Sequence, residues 1–196
     1  MTAPTFDGSF PHTWTAEILP KRPMILPSRQ FVYPAQVEEV ERGALEVLVQ
    51  PATSSRNQAE GYSLNAQFLA TCALGFRDPA APSGIWSMPH PDWLCALSGG
   101  YAYLIDTLDP RRFTMLHYRP VLSVHPLPEQ GLILFVGHHA ILAWGQNGEA
   151  WQSDRLSWEG VTITRIEANT LDGLGWDMLT DKDLPFALDL ATGKRI

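Results

Sequence analysis

Trp93-Leu94-Cys95-Ala96-Leu97-Ser98-Gly99-Gly100-Tyr101-Ala102-Tyr103-Leu104-Ile105 is the stretch that decides the fold class. Two short apolar runs flank Ser98-Gly99-Gly100, whose composition is that of a tight turn, so the whole reads as a β-hairpin. The pattern returns downstream. Leu132-Ile133-Leu134-Phe135-Val136 and Ala140-Ile141-Leu142-Ala143-Trp144 flank Gly137-His138-His139 and form a second hairpin. The latter strand runs through Gln146-Asn147-Gly148-Glu149 into Ala150-Trp151-Gln152-Ser153. Asn-Gly is among the best short-range hairpin signals, because both central residues of a type I′ turn need positive φ. A two-residue Asn147-Gly148 loop is expected; it sets Trp144 directly across from Trp151, with both indoles on one face. A three-residue loop with Gly148 in a bulge would instead pair Trp151 with Ala143 and send the two rings to opposite faces.

Upstream the signals change. Residues 1–35 carry six prolines, which exclude a long helix and weaken any claim to a central strand, so an extended proline-rich arm is expected there. Its aromatics Phe6, Phe10, Trp14, Phe31 and Tyr33 imply that it packs on its own domain or on a second subunit. Pro20-Lys21-Arg22-Pro23 has the spacing of a polyproline ligand, a pattern common in any proline-rich segment. Ala35-Gln36-Val37-Glu38-Glu39-Val40-Glu41-Arg42 reads as one short helix stopped by Gly43, and Ala44-Leu45-Glu46-Val47-Leu48-Val49 as a strand ended by Pro51. Residues 52–61 lack a large apolar side chain and read as a mobile loop. Residues 63–76 are apolar with an ambiguous period; a strand fits Phe68-Leu69-Ala70-Thr71-Cys72-Ala73-Leu74, and a helix stays open.

The expected fold is therefore mainly β: antiparallel meanders of blade-like hairpins in one compact domain, residues 36–196, preceded by the arm over 1–35. A chain of 196 residues, 45% hydrophobic and 18% charged, has ample material for a core. Its formal charge of −7 and merely paired basic residues argue against contact with phosphate backbones, and nucleic acid is not an expected partner. The start lacks the basic and apolar regions of a secretory signal, and no apolar run approaches the length of a membrane helix. A soluble, cytoplasmic protein without a membrane partner is expected, with Cys72 and Cys95 as small core residues.

Three segments share an apolar strand, a polar turn and a return strand, beginning at Ala102, Ala140 and Phe186, a period of roughly 40 residues. The last, with Ala187-Leu188-Asp189-Leu190-Ala191-Thr192-Gly193-Lys194, resembles the inner strand and turn of a blade from the quinoprotein-type or WD-type β-propellers. The resemblance covers residues 84–196, with too few units to close a ring. No Gly-His or Trp-Asp signature accompanies each unit; the only Trp-Asp is Trp176-Asp177. It implies stacked antiparallel meanders, and it carries over neither a quinone cofactor nor a calcium site.

No motif of known chemistry survives inspection, so no reaction is assigned. Five of the six histidines, His90, His117, His125, His138 and His139, fall within fifty residues and invite a metal. Adjacent His138 and His139 point to opposite faces in an extended chain, so no metal and no cofactor are expected. If a metal were bound, His90, His117 and His125 are its ligands. Ser98-Gly99-Gly100 is not a nucleophile elbow, Gly173-Leu174-Gly175 lacks a dinucleotide fingerprint, and Asp177, Asp181 and Asp183 read as a solvated turn. The seven tryptophans are the least ordinary feature, either filling the core or forming a contact platform.

The favoured function is a non-enzymatic binding or assembly module, its binding residues Trp144, Trp151, His138, His139 and Arg155. The expected partners are a second copy of the chain, joined through the N-terminal arm, and an unspecified protein or small-molecule ligand. The alternative is a small hydrolase or metal-dependent enzyme built on the loop histidines with Asp92 or Glu129.

Overall fold

The computed structural model describes residues 4–34, 43–52, 66–75 and 81–196. They are mostly strand. The expected helix over 35–42 and, apart from Ala52, the expected loop over 52–61 lie outside the described residues. Contacts group the chain into two compact units, 1–119 and 120–196, where the sequence reading drew a single domain from 36 to 196.

The first unit holds β1 (Thr5–Asp7), β2 (Trp14–Leu19), β3 (Arg29–Tyr33), β4 (Ala44–Pro51), β5 (Phe68–Ala73), β6 (Gly84–Ser87), β7 (Trp93–Ser98), β8 (Tyr101–Asp106) and β9 (Phe113–Met115). They form a five-stranded sheet, β1-β6-β7-β8-β9, and a four-stranded one, β2-β4-β5-β3. The deciding hairpin is β7–β8: Ser98 pairs with Tyr101, leaving the two-residue loop Gly99-Gly100, both at positive φ as such a turn requires. The ambiguous apolar run resolves as the strand β5, buried along its whole length.

The proline-rich segment supplies three strands to these sheets. β1 runs parallel to β6, β2 antiparallel to β4, and β3 parallel to β5, each at a sheet edge where proline is tolerated. Phe10, Trp14 and Tyr33 are buried; Trp14 and Tyr33 join a core with Val47, Val49, Phe68, Ile85, Leu94 and Tyr103. The buried tyrosine hydroxyls are satisfied, Tyr33 Oη donating to Pro110 O at 2.7 Å and Tyr103 Oη to Ala73 O at 3.0 Å. Cys72 and Cys95 are free, buried thiols, and burial raises the pKa of both.

The second unit holds β10 (Ser123–Leu127), β11 (Leu132–Val136), β12 (Ile141–Gly145), β13 (Gly148–Gln152), β14 (Val161–Glu167), β15 (Thr170–Asp177) and β16 (Lys182–Asp189). Two antiparallel meanders result, β10-β11-β12-β13 and β14-β15-β16. Leu134, Val136, Ile141, Ala143 and Trp151 from the first pack with Leu171, Phe186 and Leu188 from the second. None of the four sheets closes into a ring. Among the described residues the one helical element is a 3-10 turn, Pro128–Gln130.

The β12–β13 register departs from expectation. Gly145 pairs with Gly148 and Trp144 with Glu149; a shift between Ala143 and Trp144 then pairs Ala143 with Trp151. Trp144 and Trp151 therefore occupy opposite faces, and the paired-indole platform does not form. The two-residue loop is Gln146-Asn147, one position earlier than expected, and Gly148, at φ +124°, is the first residue of the returning strand. Asn-Gly suits both arrangements; the buried seat of Trp151, whose Nε1 donates to Leu190 O at 2.7 Å, accompanies the bulged one.

Candidate functional site

The tryptophans divide by burial. Trp14, Trp86 and Trp151 are core, and Trp93, Trp144 and Trp176 are half-buried. Trp158 alone has a large exposed face, at 41%. It lies in an irregular crossing between β13 and β14, and this crossing builds the best-furnished cleft of the second unit.

Local hydrogen bonds shape that crossing. Ser153 continues the ladder beyond β13, its N–H donating to Ile141 O and its Oγ accepting from Ile141 N at 3.0 Å. The chain then turns onto the His138-His139 loop, where Leu156 N (2.7 Å) and Ser157 N (3.3 Å) both donate to His139 O. It next meets the end of β15, with Trp158 N donating to Trp176 O at 2.9 Å and Ser157 Oγ to the same oxygen at 3.2 Å. Gly175 permits this approach: a Cβ there would sit 2.2 Å from Leu156 O.

The cleft so formed encloses about 270 Å³ and is walled by Trp158, Trp176, Leu184 and Pro185, with Arg155 and Arg195 at its polar margins. Arg155 Cζ stands 4.5 Å from the centre of the Trp158 ring, within the range of a cation–π contact. Trp176 is oriented by its indole N–H, which donates to Asp181 Oδ1 at 3.1 Å. Asp177, also in the lining, accepts from both N and Oγ1 of Thr180; with the Trp158 indole these bonds hold its carboxyl below the usual range. The acidic turn read from the sequence thus bonds largely to itself. A shallower depression of about 390 Å³ continues from Pro185 and Arg195 over Leu174, Ala187 and Ile196.

Of the five residues selected from the sequence, the structure brings His139 and Arg155 together through the 155–158 segment. His139 Nδ1 lies 3.3 Å from Ser157 O, and the His138 ring stands 6.0 Å from that of His139. Trp151 is in the core and Trp144 on the other face of its sheet. Trp158, Trp176 and Arg195 were missed, because the hydrogen bond joining Trp158 to Trp176 ties an irregular crossing segment to the end of β15, a contact that no local pattern encodes.

The histidines do not gather. His90 and His117 belong to the first unit and His125, His138 and His139 to the second. His90 Nδ1 accepts from Asp92 N at 3.3 Å, Asp92 accepts from Thr13 Oγ1, and His117 and Glu129 are exposed. Among the described residues no group of three His, Cys, Asp or Glu is placed to hold a metal ion. Ser98 Oγ is buried and donates to Cys72 O. Ser123 Oγ lies 2.9 Å from His125 Nε2, the atoms of a nucleophile–base pair that a Ser-x-His spacing on a strand brings to one face. Among the described residues no third group is hydrogen-bonded to the other ring nitrogen to orient it, and burial lowers the pKa of His125. The pair reads as a satisfied, neutral imidazole at the margin of the core. No protein-family model matches the chain, and no curated protein matches it at a significant level.

Proposed function

We propose that this protein is a binding module whose ligand occupies the Trp158–Trp176 cleft of the second unit. One observation carries this reading: an accessible indole, a second indole fixed by a hydrogen bond and two guanidinia line one half-open cavity. Aromatic and arginine side chains concentrate contact energy, and small-molecule sites combine apolar walls with a few convergent polar groups. Saturation-transfer NMR with indole as the probe tests the reading. Transfer from wild type that disappears in Trp158→Ala supports it; transfer that persists undiminished in the variant places the probe elsewhere.

A second reading, assembly of copies through the N-terminal segment, is supported by the tip between β2 and β3. Met24 and Ile25 there are 97% and 90% exposed. The base of the tip is tied down by Arg22 Nη2 donating to Gln30 Oε1 and by Gln30 Nε2 donating to Pro27 O. We read the sequential meanders of the second unit as blade-like, in keeping with their strand order.

A further inference from the structure

We infer that the cleft selects a small carboxylate carried on a planar apolar body, with Arg155 and Arg195 meeting the negative charge. The inference rests on the cleft being the binding site and goes further, to the class of ligand.

Charge is the first argument. The chain has a formal charge of −7, and other arginines are already committed to carboxylates: Arg112 to Asp106 at 3.2 Å, Arg165 to Glu167 at 2.9 Å and to Asp172 at 2.8 Å, and Arg22 to Glu46 at 3.9 Å. Arg155 and Arg195 have no such partner among the described residues, although acidic residues outnumber basic ones in the sequence by 21 to 14. The only carboxylate in the lining, Asp177, is engaged by Thr180. Two cations and one committed anion thus line the cavity, a balance that favours an incoming anion.

Preorganisation is the second argument. Arg155 Cζ stands 4.5 Å from the centre of the Trp158 ring, a cation–π contact that favours this placement of the guanidinium at the cleft. A planar fork held in advance loses less entropy on forming hydrogen bonds than a free lysine or arginine does, and it matches the two oxygens of a carboxylate.

Size and wall chemistry supply the third. A cavity of about 270 Å³ lies just under the range usual for drug-sized ligands and accommodates one or two fused rings. Inorganic phosphate would use the guanidinia and leave Trp158, Trp176, Leu184 and Pro185 unused; a neutral hydrocarbon would use the walls and strip water from unpaired cations. An aryl or indolyl carboxylate uses both.

The test is isothermal titration of the full chain with indole-3-acetate, with its neutral isostere indole-3-acetamide and with inorganic phosphate, in wild type, Arg155→Gln and Arg195→Gln. Both arginines are exposed, so circular dichroism should show the variants folded. The expected result is that the carboxylate binds about ten-fold or more tightly than the amide, as charge-assisted hydrogen bonds provide, and that each variant weakens carboxylate binding by a larger factor than amide binding, so that the ratio between the two falls. Equal binding of carboxylate and amide, both lost in Trp158→Ala, overturns the anion inference and leaves the cleft as a binding site. Phosphate binding as tightly as the carboxylate overturns the planar-body assignment. Failure of all three probes to bind overturns the cleft reading and this inference with it.

Discussion

Trp151 and Trp158 lie close in sequence and have opposite roles. Trp151 is wedged into the core with its indole N–H bonded to Leu190 O, so replacing it with alanine removes a large buried volume and leaves that carbonyl unpaired. A loss of about 3–5 kcal/mol in unfolding free energy is expected on chemical denaturation. Trp158, 41% exposed, is far less enclosed, so Trp158→Ala should cost about 1 kcal/mol, well below the Trp151 loss. Equal losses for the two would contradict the division into core and cleft. His125 gives a pH signature. Burial lowers its folded pKa below the unfolded value near 6.5, so between those values the unfolded chain binds more protons and folding stability falls as pH drops. Thermal unfolding from pH 8 to pH 5 should show this decline in wild type and a shallower one in His125→Gln; parallel curves would remove His125 from the account. Neither role was readable in advance. Indole spacing cannot say which ring a bulge turns inward, and no strand was read over 123–127 to place Ser123 beside His125.

Elements were legible where periodicity and turn chemistry agreed, as in β7–β8, where two glycines separate clean apolar runs, and in β4, where Leu45, Val47 and Val49 alternate with Glu46 and Pro51 ends the run. They were less legible where an edge strand carries proline. β1, β2 and β3 lie in a segment whose local signals spell an arm, and two of them pair in parallel with strands distant in sequence. The aromatic content of that segment was the signal that it packs. Deleting residues 1–30 removes two strands and the buried Phe10 and Trp14, so it should lower the melting temperature markedly. Replacing Met24 and Ile25 with serine should leave the melting temperature unchanged and reduce the mass seen by light scattering. A wild-type chain that is monomeric at all concentrations would eliminate assembly through this tip, and a truncated chain as stable as full length would eliminate the docked-arm packing.

At the scale of the whole molecule, each unit has two sheets and its own apolar core, the first centred on Val47, Phe68, Leu94 and Tyr103 and the second on Leu134, Ala143, Leu171 and Leu188. The mainly β class followed from the sequence because every long apolar run is short enough for a strand and bounded by turn residues. The cleft did not follow, because it depends on Gly175 admitting the backbone of Leu156 and Ser157 to the end of β15, a contact between segments that look like ordinary loop and strand. The central claim, that the cleft between Trp158 and Trp176 is a ligand site and that Trp14, Trp86 and Trp151 are scaffold, is tested most directly by following the seven indole N–H resonances of 15N-labelled full-length protein, assigned by single substitutions, during titration with indole-3-acetate. The account predicts saturable shifts of Trp158 and Trp176 with Trp14, Trp86 and Trp151 unmoved; shifts centred on Trp144, or on none of the seven, would contradict it.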